Sequence, residues 1–542
     1  MAIATYISGT SFSISGNMTV EFCVGRAVRC DCGTAGTFTG FITSSSYSSS
    51  TGLTTVAVSL DTGSLTNQLS SISHGNDVPA SMCRATQFSV GAVLLATSAI
   101  SVAGTDAAKP ITPATQRQAV LSWVRDSLGK FPGITPPSLN LYCGDATSDA
   151  APAGTFTRST TGTRIGQAGL IETVVAGDVR REWGPDGAVR GWLIEASATN
   201  LLTYSEQFDN TAWTKTRASV TANAAVAPDG TTTADKILES TDTNSHFINQ
   251  SISVSNPTTY ALSIFLKGAE RTVCDIITAS GNGTYSAISV NLSALTIGAP
   301  KTSGLPSAAS SSSITYVGNG WCRVNMPFVG STTGFSGCQI RLTDGSTDSY
   351  TGDGTSGIYV WGAKIESGAF STSYIPTTSA AVSRSSDAWT ISLAASWFHA
   401  SSGTILVSGR TSIAPPVSGS TQFLVQYDDG SSSNRIWVVR DSAGVLFAQV
   451  AVAGATVASV SLGNVTNSTA FRGAFSWSSS GFSASLNGGT CVTAAAATLP
   501  SNLATHRIGA NSAGGNQWGG HILHDVYFPV ALSNAMLQAI TL

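Results

Sequence analysis

Cleaving a glycosidic bond needs two carboxyl groups flanking the scissile linkage, one protonated and one ionised. No Glu follows Glu366, and beyond Trp389 the only Asp residues are Asp428, Asp429, Asp441 and Asp525. That section therefore lacks an ExDxxE-type retaining pair, and Asp428-Asp429-Gly430 has the composition of a hairpin turn. His521 and His524 stand beside Asp525, but three positions apart in a regular strand they face opposite sides, among neighbours of core character. Asp344, Asp348 and Asp353 share a loop of Asp, Gly and Ser whose oxygens could ligate Ca2+, although the spacing matches no EF-hand. Cys30-Asp31-Cys32 is tighter than a CxxC zinc knuckle and has no His beside it, so the nine cysteines are expected as buried or free thiols. No GxSxG, HExxH, P-loop or paired CxxC occurs. No catalytic residue is assigned, and no cofactor is expected beyond that Ca2+ loop.

Aromatic side chains are the better candidates for working parts. A flat ring stacks on the C–H face of a sugar while nearby amides and hydroxyls bond its hydroxyl groups. Tyr427, Trp437, Trp477 and Trp518 are the glycan-binding candidates. Composition agrees: charged residues make up 11% of the chain, the formal net charge is −3, and the surface-type runs are rich in hydroxyls. No basic field is available to collect phosphates, so nucleic acid is not an expected partner. Disorder is disfavoured because 42% of residues are hydrophobic, with 11 Trp, 20 Phe and 12 Tyr. No apolar run approaches the ~18 to 20 residues that span a bilayer, and the first residues lack the regions of a signal peptide; a soluble product of the cytosol is expected, without membrane insertion.

A chain of 542 residues exceeds a single core, so several domains are expected. Residues 1–85 alternate polar and apolar side chains, as in Ser11-Phe12-Ser13-Ile14-Ser15, and predict a small β domain. Residues 86–150 form a linker in which Val120, Leu121, Val124 and Leu128 recur at helical spacing, predicting an amphipathic helix over 113–129. Residues 151–202 read as short strands joined by Gly turns. Regular strand runs over 203–388, such as Tyr260-Ala261-Leu262-Ser263-Ile264-Phe265-Leu266-Lys267, predict a jelly-roll sandwich. Alternation resumes over 389–542, where Asn487-Gly488 is a strong hairpin signal, and predicts a second sandwich. The fold class expected is all-β, several β-sandwich (jelly-roll) domains in series with one short connecting helix.

An ordered set of runs resembles the jelly-roll module of tailed-bacteriophage fibres, which is similar to carbohydrate-binding modules. It comprises Asn200-Leu201-Leu202-Thr203-Tyr204-Ser205, Trp213-Thr214-Lys215, Ala227-Pro228-Asp229-Gly230, Gly318-Asn319-Gly320-Trp321-Cys322-Arg323, Tyr359-Val360-Trp361-Gly362-Ala363 and Thr372-Ser373-Tyr374-Ile375-Pro376. Thr157-Arg158 and Trp192-Leu193-Ile194-Glu195 resemble the strand segment that precedes that module. Residues 1–85, with Val24-Gly25-Arg26 and His74-Gly75-Asn76-Asp77, are similar to N-terminal domains of phage tail proteins. Phe475-Ser476-Trp477 and Trp518-Gly519-Gly520-His521 resemble a concanavalin- or laminin-G-like sandwich. The resemblance implies a receptor-binding fibre of a phage virion, assembled in the host cytoplasm. Its N-terminal domain would attach to other virion proteins, its distal sandwich would meet a bacterial surface glycan, and it would be a homotrimer. A tail-spike depolymerase and a purely structural capsid, neck or baseplate part are the alternatives.

Overall fold

The computed structural model describes residues 4–19, 22, 27–74, 137–145, 151–255, 258–281, 284–303, 311–332, 334–394, 396–411 and 420–542. The helix expected over 113–129 lies outside them, as do Cys23 and Cys83. The chain forms two compact units, 1–132 and 133–542. The all-β class predicted from alternation is what the structure has: nearly every regular element is an antiparallel strand. The exception among α-helices of the described residues is Asn534–Thr541, capped by Ser533. No described helix is long and apolar enough to cross a membrane.

In the first unit, six strands pair in the order Ala4–Ser8, Ser11–Ser15, Leu53–Leu60, Thr37–Ser48, Ala27–Asp31, Ser71–His74. Their apolar positions Phe12, Ile14, Val28, Ile42, Val56 and Ile72 close one core. Cys30 and Cys32 belong to it as free thiols. Burial, with Cys32 adding to it, pushes the Cys30 thiol up to about 12, which leaves it protonated near neutrality.

The second unit holds two sandwiches, one carried by the other. The jelly roll faces a seven-stranded sheet (Thr214–Thr216, His246–Ser251, Phe335–Leu342, Val273–Gly281, Thr284–Asn291, Thr296–Ile297, Lys301–Ser303) against a six-stranded one (Ala218–Ala225, Ala234–Glu239, Gly357–Ser367, Thr259–Gly268, Trp321–Val329, Ser313–Gly318). Ile248, Ile276, Ile288 and Ile340 of the first interlock with Leu262, Ile264, Val324 and Val360 of the second. Cys274, Cys322 and Cys338 fill this core as small apolar groups, and burial pushes the Cys322 thiol up to about 11.

Residues 151–202 do not stand apart from the last sandwich. Thr155–Thr157 pairs with Ala388–Ser392, Val189–Ile194 pairs with Gly520–Phe528, and Arg180–Trp183 follows at the edge; Leu139–Tyr142 pairs farther along the same edge of Gly520–Phe528, whose opposite edge is taken by Gly403–Thr411. These strands complete an eight-stranded and a seven-stranded sheet whose other members come from residues 388–528. The jelly roll is thus an insertion, entered and left through the antiparallel pair Ala198–Asn200 with Val382–Arg384. Trp192 and Trp389, from either side of the insertion, meet edge to face at 5.1 Å in the sandwich core. The Asn487-Gly488 signal holds: both residues have positive φ (49° and 73°) and Gly489 N–H donates to Leu486 O at 2.8 Å, closing a turn that only such residues enter cheaply.

Candidate functional site

The four aromatic candidates do not form a platform. Tyr427, Trp477 and Trp518 point into the sandwich core with no exposed surface. Trp437 alternates with Ile436 and Val438 and so lies on the outer side of its sheet, but it too is only 3% exposed, because the Arg435 guanidinium sits 4.1 Å over its ring and Phe423 and Val439 pack beside it. The expectation that these rings stack on sugars is corrected: large aromatic rings share the filling of the core between the two sheets with the Leu, Ile and Val side chains around them. The carboxylates of the expected Ca2+ loop already have protein partners. Asp344 accepts from the N–H groups of Ser346 and Thr347, Asp348 pairs with Arg341, and Asp353 accepts from Thr355 and Ser356, so each carboxylate caps a turn or meets a cation. Among the described residues, no three His, Cys, Asp or Glu come together as a metal site. Asp428, expected in a turn, ends its strand fully buried and accepts from Arg507 Nε at 2.7 Å.

His521 and His524 were expected on opposite faces. A β-bulge between them, where Gly409 pairs with Ile522 and Ser408 with His524, adds one residue to the strand and turns both imidazoles to the outer face. They serve different partners: His521 Nε2 meets Glu182 Oε2 at 2.5 Å, while His524 stacks on Tyr142 at 4.1 Å. Asp525 points inward and meets His506 Nε2 at 2.5 Å, fully buried, with Tyr427 stacked on the imidazole at 4.2 Å.

A face that no sequence motif marks lies on the jelly roll. In its seven-stranded sheet the core takes every second residue, and the alternate residues build the outer face. Phe247, Arg341 and Asp275 are neighbours across three strands, and Asn249, Gln339 and Ile277 form the next row. Tyr285 and Phe335 share this face, since Tyr285 alternates with the outward Ala287 opposite Ile277 and Phe335 with the outward Gln339. Phe247, Tyr285 and Phe335 are all part-exposed. Arg341 lies 5.7 Å over the Phe247 ring and bonds Asp348. Asp275, nearly buried, accepts from Ser289 Oγ at 2.5 Å and Lys301 Nζ at 3.2 Å. Burial raises the Tyr285 hydroxyl's pKa against the pull of Arg341 and Lys301, so it stays a neutral donor and acceptor. The face therefore carries three part-exposed rings and the part-exposed Asn249, with the Arg341 guanidinium and the Asp275 carboxylate held by fixed partners and Gln339 and Ile277 buried between them. The signal was present in Phe247-Ile248-Asn249 and Gln339-Ile340-Arg341, where aromatic and planar polar residues flank each core Ile.

No protein-family profile and no curated protein matches the chain. Among solved structures it is similar to the CBM40 of a Ruminococcus gnavus IT-sialidase bound to α2,6 sialyllactose, at 16% identity and a TM-score of 0.23, covering 26% of this chain and 83% of that one. It is similar to the NanB sialidase of Streptococcus pneumoniae, at 16% identity and a TM-score of 0.23, covering 27% of this chain and 25% of that one. It is also similar to a native heptameric SAP-like pentraxin from Limulus polyphemus, at 15% identity and a TM-score of 0.20, covering 26% of this chain and 69% of that one.

Proposed function

We propose that the protein is a glycan-binding fibre of a tailed phage, holding the bacterial surface during adsorption and carrying out no chemistry of its own. The observation that carries the binding part is the outer face of the seven-stranded jelly-roll sheet, where Phe247, Tyr285 and Phe335 are part-exposed among Asn249, Gln339, Arg341 and Asp275. Rings for sugar C–H faces, beside amides and charges for sugar hydroxyls, are what a neutral or mildly charged glycan requires. The phage assignment rests on the ordered runs from Asn200 to Pro376 and on the similarity of residues 1–85 to tail-protein domains. A homotrimer belongs to the same reading: several weak sites on one particle gain orders of magnitude in avidity once one has engaged.

The test is binding of the full chain to host cells and extracted surface polysaccharide, with reducing ends followed in the same tubes. Saturable binding that falls at least tenfold in Tyr285→Ala and Arg341→Ala, without sugar release, supports the reading. Release of reducing ends would convert it to a depolymerase. No binding to any surface fraction would favour a structural virion part.

A further inference from the structure

A recess lies where the inserted jelly roll meets its host sandwich, away from the face that carries Phe247, Tyr285 and Phe335. The outer side of the six-stranded sheet is covered there by the hairpin Gly162–Ile165 and Ile171–Val174 and by residues 371–374. Between them is a partly open cleft of about 130 Å³, several times the roughly 30 Å³ that a water molecule takes in the liquid. Its wall is mostly apolar, with Ile165, Ile171, Phe265 and Val317, and its polar groups come from both parts of the unit.

Charge accounting singles out one of them. Glu172 is paired with Arg164, Glu182 with His521, and Glu195 with Arg180 and Arg384. Behind the wall, Glu366 is paired with Lys364. Arg323, by contrast, forms no ion pair among the described residues. Its Nη2 donates to Ser263 Oγ at 2.9 Å and Thr372 O at 2.6 Å, its guanidinium lies 5.6 Å over the Phe265 ring, and its Nε is buried with no partner among the described residues. Ser371 Oγ, on the same cleft, is likewise buried with no partner among the described residues. Leaving a buried donor unsatisfied costs on the order of 1–3 kcal/mol, more for a charged group, so two of them lining one recess point to an occupant.

We propose that this cleft binds a small carboxylate ligand, with Arg323 as its counter-charge, Ser371 as its hydroxyl partner and the Phe265 side as its apolar wall. One cation with an unpartnered N–H and one unpartnered hydroxyl on the same cleft match the two oxygens of a carboxylate; a phosphate dianion would need a second free cation, and the neighbouring cations are already paired. The carboxylate is that of an acidic sugar residue or of a free organic acid, which share this chemistry. The site stands independently of glycan binding on the sheet face.

Calorimetric titration of the full chain with sodium glucuronate, sodium acetate and glucose tests it. Glucuronate is expected to bind saturably and glucose not at all. Acetate binding as tightly as glucuronate supports a site for free acids, and acetate at least tenfold weaker supports a site for acidic sugars. Arg323→Gln should weaken binding at least tenfold; Ser371→Ala, which removes only a hydroxyl, should weaken it severalfold with an unchanged melting temperature, so the site remains testable where the Arg variant folds poorly. Tyr285→Ala should leave glucuronate binding intact. Saturation by neither carboxylate overturns the proposal, as do equal affinities in wild type and Ser371→Ala, or loss of binding in Tyr285→Ala, which would move the ligand to the sheet face.

Discussion

Arg180 Nη2 donates to Asp387 Oδ2 at 2.6 Å across 207 positions of sequence, with the whole jelly roll threaded between them. Both side chains are without exposure. Arg158 reaches the other oxygen of Asp387 at 3.2 Å, and Arg180 Nη1 donates to Glu195 Oε2 at 2.7 Å, so the strands entering and leaving the insertion are tied by one buried charge cluster. Burial raises the Glu195 carboxyl, but the guanidinium groups of Arg180 and Arg384 outweigh it and hold the group far below its ordinary range.

Arg180→Met should therefore be strongly destabilising, because removing one member leaves Asp387 and Glu195 buried and undercompensated; about 3–5 kcal/mol is the expected loss, read by chemical denaturation. The pH dependence has a definite sign. A depressed carboxyl contributes stability above its unfolded value near 4.5, and that contribution is lost as pH falls through the folded value. Wild type should thus lose stability below pH 4.5 with a steeper slope than Arg180→Met. A loss under about 1 kcal/mol, or parallel acid slopes, would show that the cluster is not what ties the insertion.

Residues 389–542 expressed alone should not fold. They lack Leu139–Tyr142, Thr155–Thr157, Arg180–Trp183 and Val189–Ile194, which leaves Trp389 and Ile522 without Phe156 and Trp192 across the sheet. Asn200 and Val382, by contrast, are paired across the neck, so replacing residues 201–381 with an Asn-Gly turn should give a folded sandwich. Amide dispersion in NMR spectra of the two fragments checks this; a well-dispersed 389–542 spectrum would contradict it.

Period-two alternation made the strands of both sandwiches legible, as at Tyr260–Leu266 and Gln422–Tyr427, and Asn487-Gly488 gave its turn from local chemistry alone. Partnership was not legible. Thr155–Thr157 carries nothing that names Ala388–Ser392 as its neighbour, because the pairing depends on where the chain goes in the intervening 230 or so residues. Nor does a Trp in an alternating run reveal which side of the sheet it takes when one extra residue reverses the phase, as the bulge between Ser408 and Gly409 does for His524. The outer face of the seven-stranded sheet, on which binding is proposed, was visible only as polar and aromatic residues at positions complementary to core Ile, a weaker pattern than the Trp count that drew attention to the core.

Lys364 gives an alkaline signature. It is fully buried, donates to Glu366 Oε1 at 2.8 Å and to Thr372 and Ser373, and burial lowers its ammonium to about 8 despite Glu366. Between pH 8 and its unfolded value of 10.5 the unfolded chain holds a proton that the folded chain lacks, so stability rises with pH across that window, and the penalty is fully present below it. Relative to Lys364→Met, wild type should gain on the order of 3 kcal/mol at most between pH 7.5 and 10.5, measured by urea denaturation at each pH. A wild-type stability that, relative to Lys364→Met, stays flat or falls with pH would mean that the ammonium keeps an ordinary affinity for its proton.

The remaining prediction separates rings that hold the fold from rings that meet a ligand, and turn caps from metal ligands. Trp477 is buried at the centre of an aromatic cluster with Phe398, Tyr427, Phe475 and Tyr527. Trp477→Ala should cost about 3–5 kcal/mol, with any change in glycan affinity following only from the unfolded fraction. Tyr285→Ala, on the part-exposed face, should do the reverse: melting temperature nearly unchanged and affinity reduced at least tenfold. Since Asp344, Asp348 and Asp353 are committed to backbone N–H groups, hydroxyls and Arg341, EDTA should leave both the melting temperature and glycan binding unchanged. A fall in either on chelation, restored by Ca2+, would reinstate a metal at that loop.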